Sequence, residues 1–240
     1  MFRCCSFSWF RAPVLLLAFL NPLARAADAS QGVIVVGFVG GFVHHDDRHH
    51  SEVQFAAHLA KDYPSDVAVR IYANHSGRRA RAEILRLLDT DGNGALSAPE
   101  KREARIVLFG HSWGASEAIA TARALERDGV PVLLTIQVDS VSKPGRDDSR
   151  IPANVAEAIN FYQLNGILHG RRRIVAADPK RTAILGNVRV DYVRNRVDCD
   201  GYPWYARWFM KPHIEIESDP KIWNQIESLI RSKIPPTTVS

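Results

Sequence analysis

Short apolar runs alternate along the chain with stretches whose apolar residues recur at helical spacing. Val33-Ile34-Val35-Val36 is a β-branched run halted at Gly37, and residues 51–59 follow with helical spacing, so the chain opens as strand, loop and helix. Residues 67–71 predict a second strand. Residues 79–88 predict a helix that carries Ile84, Leu85, Leu87 and Leu88 on one side. Arg105-Ile106-Val107-Leu108-Phe109 predicts a buried strand running straight into Gly110, and residues 115–125 an alanine-rich helix closed by Gly129. Further strands are predicted over Val132–Val138, 158–162 and 188–193. Asp219 as N-cap with Pro220 in the first turn announces a last helix with Ile222, Trp223, Ile226, Leu229 and Ile230 at core spacing.

Strands that alternate with helices in this way predict an α/β fold, a mainly parallel sheet with helices on both faces. Residues 27–234 fit a single domain with one sizeable core, and residues 235–240 read as a loose tail. Residues 164–212 are less regular and read as a lid or irregular region.

The turn between the 105–109 strand and the alanine-rich helix is Gly110-His111-Ser112-Trp113-Gly114. A serine hydroxyl is a weak nucleophile near neutral pH, so acyl transfer needs a base for its proton and donors for the developing oxyanion. The Gly-x-Ser-x-Gly spacing lets a tight strand-to-helix turn present Ser112, and it sets the Trp113 N–H at a helix start, where an oxyanion is stabilised. With its flanks, this pentapeptide resembles the nucleophile elbow of lipases and esterases of the α/β-hydrolase superfamily, and the resemblance covers most of the chain. It implies an α/β-hydrolase fold and a triad in the chain order serine, acid, histidine, with the histidine in a loop before the last helix. His213, in Lys211-Pro212-His213-Ile214, matches that place as general base and acid. Asp139 in Gln137-Val138-Asp139-Ser140 is the preferred acid, on the pattern of lipases and thioesterases that use this strand; Asp191, Asp198 and Asp200 compete with it. The second oxyanion donor is implied in the loop Gly37-Phe38-Val39-Gly40-Gly41-Phe42, at the N–H of Phe38 or Val39.

A second motif lies upstream. Residues 89–100 read Asp-Thr-Asp-Gly-Asn-Gly-Ala-Leu-Ser-Ala-Pro-Glu, which matches the EF-hand calcium loop at its informative positions. Asp89, Asp91 and Asn93 offer side-chain oxygens, Ala95 a carbonyl, Ser97 the ninth position and Glu100 a bidentate carboxylate, while Gly94 makes the sharp turn. A structural calcium ion is expected there and no organic cofactor; a plain Ser97-x-x-Glu100 capping box is the competing reading. His44-His45-Asp46-Asp47-Arg48-His49-His50 reads as a polar rim beside the glycine loop rather than a metal site. Tyr202, Trp204, Tyr205, Trp208 and Phe209 fit an acyl pocket wall, a lid or plain core packing, and Arg171-Arg172-Arg173 a solvated turn.

The N-terminus changes the charge picture. Arg3 and Arg11, an apolar run over 12–20 and Ala24-Arg25-Ala26 predict a secretory signal over residues 1–26 with cleavage before Ala27. Its removal takes Arg3, Arg11 and Arg25 with no acid, so the formal charge falls from +5 to +2 and gives no reason to expect a nucleic-acid partner. Cys4 and Cys5 leave with it and Cys199 remains alone. The run is too short for a transmembrane segment. The expected protein is therefore a secreted or periplasmic serine hydrolase of a small-molecule or lipid ester. The same triad would also serve a thioesterase or amidase. A non-catalytic calcium-binding or interaction protein on a hydrolase scaffold is the reading from another class. Oligomeric state is open at this level.

Overall fold

The computed structural model describes residues 32–64 and 67–234. The expected signal segment, with Cys4 and Cys5, and the expected tail lie outside the described residues. In chain order the elements are β1 (Val33–Phe38), α1 (Ser51–Asp62), β2 (Val67–Tyr72), α2 (Gly77–Leu88), α3 (Ala98–Arg102), β3 (Ile106–His111), α4 (Trp113–Arg127) and β4 (Val132–Val138). Then come β5 (Arg150–Ile151), β6 (Val155–Gln163), β7 (Val175–Ala176), β8 (Ala183–Val190), α5 (Trp204–Ser218) and α6 (Pro220–Arg231).

Six strands form one sheet in the order β2-β1-β3-β4-β6-β8, with each neighbouring pair parallel; β5 and β7 make a separate parallel pair. Alternate side chains divide between two cores, as the pleat requires. Ile34, Val36, Phe38, Ile106 and Leu108 pack with Ile84 and Leu88 of α2 and Ile119 and Leu125 of α4. Val33, Val35, Val107 and Phe109 face the other way, onto Phe55 and Leu59 of α1 and Ile222, Trp223, Ile226 and Ile230 of α6. Helices thus cover both faces of a parallel sheet, the architecture expected from the periodicity. Among the described residues no helix is long and apolar enough to cross a membrane.

Two expectations are corrected. The late strand runs over Ala183–Val190 and not over 188–193; it is the sheet edge, its side chains are half-buried or exposed, and it therefore lacks a clean apolar signature. The region over 164–212 holds β7, β8 and the start of α5. His213 lies in helix and not in a loop: α5 breaks at Met210 (φ −128°, ψ 19°) and resumes with Pro212 in its restarted first turn, a place where proline costs no backbone hydrogen bond. The last helix opens as expected, with the Asp219 carboxylate accepting from the Lys221 N–H at 2.9 Å.

Candidate active site

The elbow is built by close backbone approach. A Cβ on Gly110 would lie 2.4 Å from the Gly114 carbonyl carbon, and one on Gly114 2.1 Å from the Phe38 oxygen, so both positions exclude any larger residue. Replacing Gly114 by alanine is expected to cost about 3 kcal/mol or more in denaturant unfolding, because the obstacle is strand backbone rather than a side chain free to rotate. Between these glycines Ser112 sits at φ 54°, ψ −123°, a backbone conformation that costs a residue with a side chain roughly 1–3 kcal/mol and is characteristic of sites where the surroundings over-determine it. Its N–H donates to the Val138 carbonyl at 3.0 Å, which ties the end of β3 to the end of β4.

Asp139 follows β4 directly and is fully buried, with φ 44°. Its Oδ1 accepts from the N–H groups of Gly170 (2.7 Å) and Gln163 (3.2 Å), and its Oδ2 from Gln163 Nε2 (2.8 Å) and His213 Nδ1 (2.7 Å). Four donors around one carboxylate keep it oriented, and acceptance at His213 Nδ1 leaves the proton there and the lone pair on Nε2. Burial lowers the His213 pKa below its ordinary value, as does the positive charge of His111, against the opposing pull of Asp139. The His213 ring lies against the ring of His111, the residue before Ser112, with centroids 4.4 Å apart.

The competing acids are elsewhere. Asp191 caps a turn by accepting from the Val193 N–H (2.9 Å), Asp198 accepts from the Asp200 N–H (2.8 Å), and Asp200 pairs with Arg207. The oxyanion loop needs a correction. Val39 N–H donates to the Tyr72 carbonyl at 3.0 Å, and Phe38 stands inside the ladder opposite Tyr72 and Gly110, so neither is free for a substrate. Gly40 is the loop residue beside Ser112, since a Cβ built on it would be 3.6 Å from Ser112 Cβ. Among the described residues the Gly40 and Gly41 N–H groups donate to no protein acceptor. Trp113 opens α4, where the first N–H groups of a helix have no intrahelical partner.

Around this core lie Gln163, Gly170, Glu52 and Glu217, for which the sequence signals no role, and His50 and Tyr202, which its motifs place in other groups. Gln163 and Gly170 hold the Asp139 carboxylate. Behind His111 sit His50, Glu52, Glu217 and Tyr202; the His50 Nδ1 is 2.6 Å from Glu217 Oε1, onto which the Tyr202 hydroxyl also donates at 2.6 Å. His50 thus leaves the polar rim, whereas His44 and His49 stay exposed beside Asp46 and Asp47. Trp204, Tyr205, Trp208 and Phe209 are 55–75% exposed, which removes core packing as their role.

In the 89–100 loop the carboxylate oxygens of Asp89, Asp91 and Glu100 lie within 4.8 Å of one another. Gly92 and Gly94 take positive φ, Asn93 Oδ1 accepts from the Ala95 N–H at 2.8 Å, and Leu96 packs on the core. Glu100 also completes a capping box with Ser97 and accepts from Thr90, bonds that hold its carboxyl down at about 2. The calcium-loop spacing and the capping box therefore coexist in one segment.

No family model and no curated protein matches the chain. Among solved structures it is similar to a YdeN-like hydrolase from Pectobacterium atrosepticum, at 15% identity over 86% of this chain and 95% of that one, TM-score 0.41. It is also similar to human thioesterase 2 (11% identity, 87% and 98% covered, TM-score 0.40). A hydrolase of the α/β superfamily from Xanthomonas campestris pv. campestris is a third, at 16% identity with 82% and 99% covered and TM-score 0.35.

Proposed function

We propose that this chain is a serine hydrolase that cleaves carboxylic esters through an acyl-enzyme on Ser112. The observation that carries the reading is the buried 2.7 Å bond between His213 Nδ1 and Asp139 Oδ2, with the His213 ring against His111, the residue before a serine held in strained backbone. Asp139 keeps His213 in the tautomer whose Nε2 can take a proton, so His213 accepts the Ser112 proton as Oγ attacks the ester carbonyl carbon. The tetrahedral oxyanion is held by the Trp113 N–H with those of Gly40 and Gly41. His213 then gives its proton to the leaving alcohol, and water repeats the sequence to free the acid. Phe42, 99% exposed and 5.4 Å from the Trp113 ring, offers apolar surface for an acyl chain at the mouth.

Two measurements test this. A fluorophosphonate probe should label the folded chain at Ser112, and p-nitrophenyl esters of graded length, run beside thioesters, should be turned over. Labelling without ester turnover but with thioester turnover moves the substrate class to thioesters. Absence of any labelling leaves the non-catalytic reading.

Calcium in the 89–100 loop belongs to the same proposal, with Asp89, Asp91, Asn93, Ala95, Ser97 and Glu100 as donors and the ion bracing the connection from α2 into β3. Saturating calcium should raise the thermal midpoint by about 3 °C or more over chelator; equal midpoints would remove the ion. The N-terminal pattern supports export to the periplasm or medium, where millimolar calcium suits a lone loop of this type.

A further inference from the structure

Glu52 is fully buried in the first turn of α1, and neither of its carboxylate oxygens has a hydrogen-bond partner. A carboxylate so placed needs a proton or a cation, since an uncompensated buried charge is strongly unfavourable. What surrounds it is a set of metal-ligating groups. Glu217, also buried, converges on it from α5, and ligand atoms of His50, Glu52 and Glu217 all lie within 4.8 Å of one another. His111 stands beside both carboxylates: its Nδ1 is 3.6 Å from Glu52 Oε1 and 3.4 Å from Glu217 Oε2.

Those two separations are longer than an ordinary N–H···O bond. They match the spacing of neighbouring ligands around a tetrahedral ion, roughly 3.4 Å for metal–ligand bonds of about 2.1 Å, while the 2.6 Å between His50 Nδ1 and Glu217 Oε1 is a hydrogen bond that ligation by both would replace. The outer contacts follow the pattern that fixes ligand imidazoles and carboxylates. His111 Nε2 is 3.2 Å from the His213 carbonyl, so that nitrogen carries the proton and donates, and Nδ1 is the one turned inward. Tyr202 donates to Glu217 Oε1. Two imidazoles and two carboxylates are a borderline nitrogen and oxygen set, which suits Zn2+ better than the calcium expected at the 89–100 loop. Two neutral imidazoles and two carboxylates leave two negative charges for a divalent ion to balance. His50, with its side chain 16% exposed, is the side open to entry.

The geometry points to a second metal site, a Zn2+-class ion held by His50, Glu52, His111 and Glu217, that pins the start of α1, the elbow and α5 together directly behind His213. It needs no turnover by Ser112, so it stands or falls apart from the hydrolase reading. Ligation by imidazole and carboxylate requires their deprotonated forms, so binding of the ion would release protons.

The test uses the purified chain, stripped with chelator, held in excess calcium to occupy the 89–100 loop, and titrated with Zn2+ alone. The expected result is one zinc per chain surviving dialysis, a higher thermal midpoint and, with Co2+ in place of Zn2+, the intense visible absorption of a four-coordinate ion. Glu52→Gln should weaken zinc by roughly 100-fold or more, and Tyr202→Phe by roughly 10-fold. Joint replacement of His44, His45 and His49 by glutamine should change nothing. Zinc lost on dialysis, retained equally by Glu52→Gln, or lost with the exposed histidines would overturn the site. If Glu52→Gln does not fold, the Co2+ spectrum of the unaltered chain decides, and the pale spectrum of the hydrated ion overturns it equally.

Discussion

Ser112→Ala is expected to abolish fluorophosphonate labelling and to cut ester turnover by about 10⁴-fold or more, while the thermal midpoint stays within a few degrees of the unaltered chain. The two halves of this expectation rest on different observations. Loss of turnover follows from chemistry: without Oγ no acyl-enzyme forms, and the oxyanion donors alone retain only a small residual rate. Retention of the fold follows from geometry: among the described residues Ser112 Oγ makes no hydrogen bond, and the contacts that anchor this residue are backbone, its N–H donating to Val138 and its carbonyl accepting from Val141. Alanine meets the same strain at φ 54° as serine, so the substitution relieves nothing and removes nothing structural. Ser112→Gly separates the effects further, because it should be equally inactive yet more stable by about 1 kcal/mol, glycine having no side chain to strain. Undiminished labelling of Ser112→Ala would place the reactive nucleophile elsewhere.

The elbow was legible because glycine spacing reports backbone contact, and the contacts at Gly110 and Gly114 are backbone to backbone. The parallel sheet was legible for a similar reason, since strands buried on both faces read as continuous apolar runs. Edge position hid the first half of β8, whose side chains are half-buried or exposed. The identity of the free N–H groups in the glycine loop was not legible, because whether Val39 is free depends on a carbonyl of β2, thirty-odd residues away and on a register that only the assembled sheet defines. The charged cluster behind His111 was hidden most completely. Glu52 shares α1 with exposed Lys61 and Asp62, and Glu217 shares α5 with exposed Lys211, and nothing local distinguishes a carboxylate that faces solvent from one that is fully enclosed. His111 lay in plain view within the pentapeptide, but its partners come from positions near 50 and 217. Long-range pairing of polar groups leaves no periodicity to read.

Asp139→Asn should lower ester turnover by roughly 10⁴-fold, with a modest loss of stability of about 1–3 kcal/mol. The carboxylate now accepts four hydrogen bonds, two on each oxygen. Asparagine keeps one oxygen, which can stay with the Gly170 and Gln163 N–H groups, and turns an NH2 toward Gln163 Nε2 and His213 Nδ1. Donor then meets donor at both places. His213 can resolve its clash by moving its proton to Nε2 and accepting from the amide through Nδ1, and that tautomer has no lone pair left to take the serine proton. Turnover therefore fails for lack of a base while Ser112 is still present in its strained turn, a failure that raising the pH should ease only by the slow route of hydroxide attack. Asp191→Asn is the control: its carboxylate only caps the Val193 turn, so turnover should stay within about twofold. A comparable collapse in Asp191→Asn, with Asp139→Asn active, would reassign the acid to the end of β8 and make the His213–Asp139 bond a structural contact.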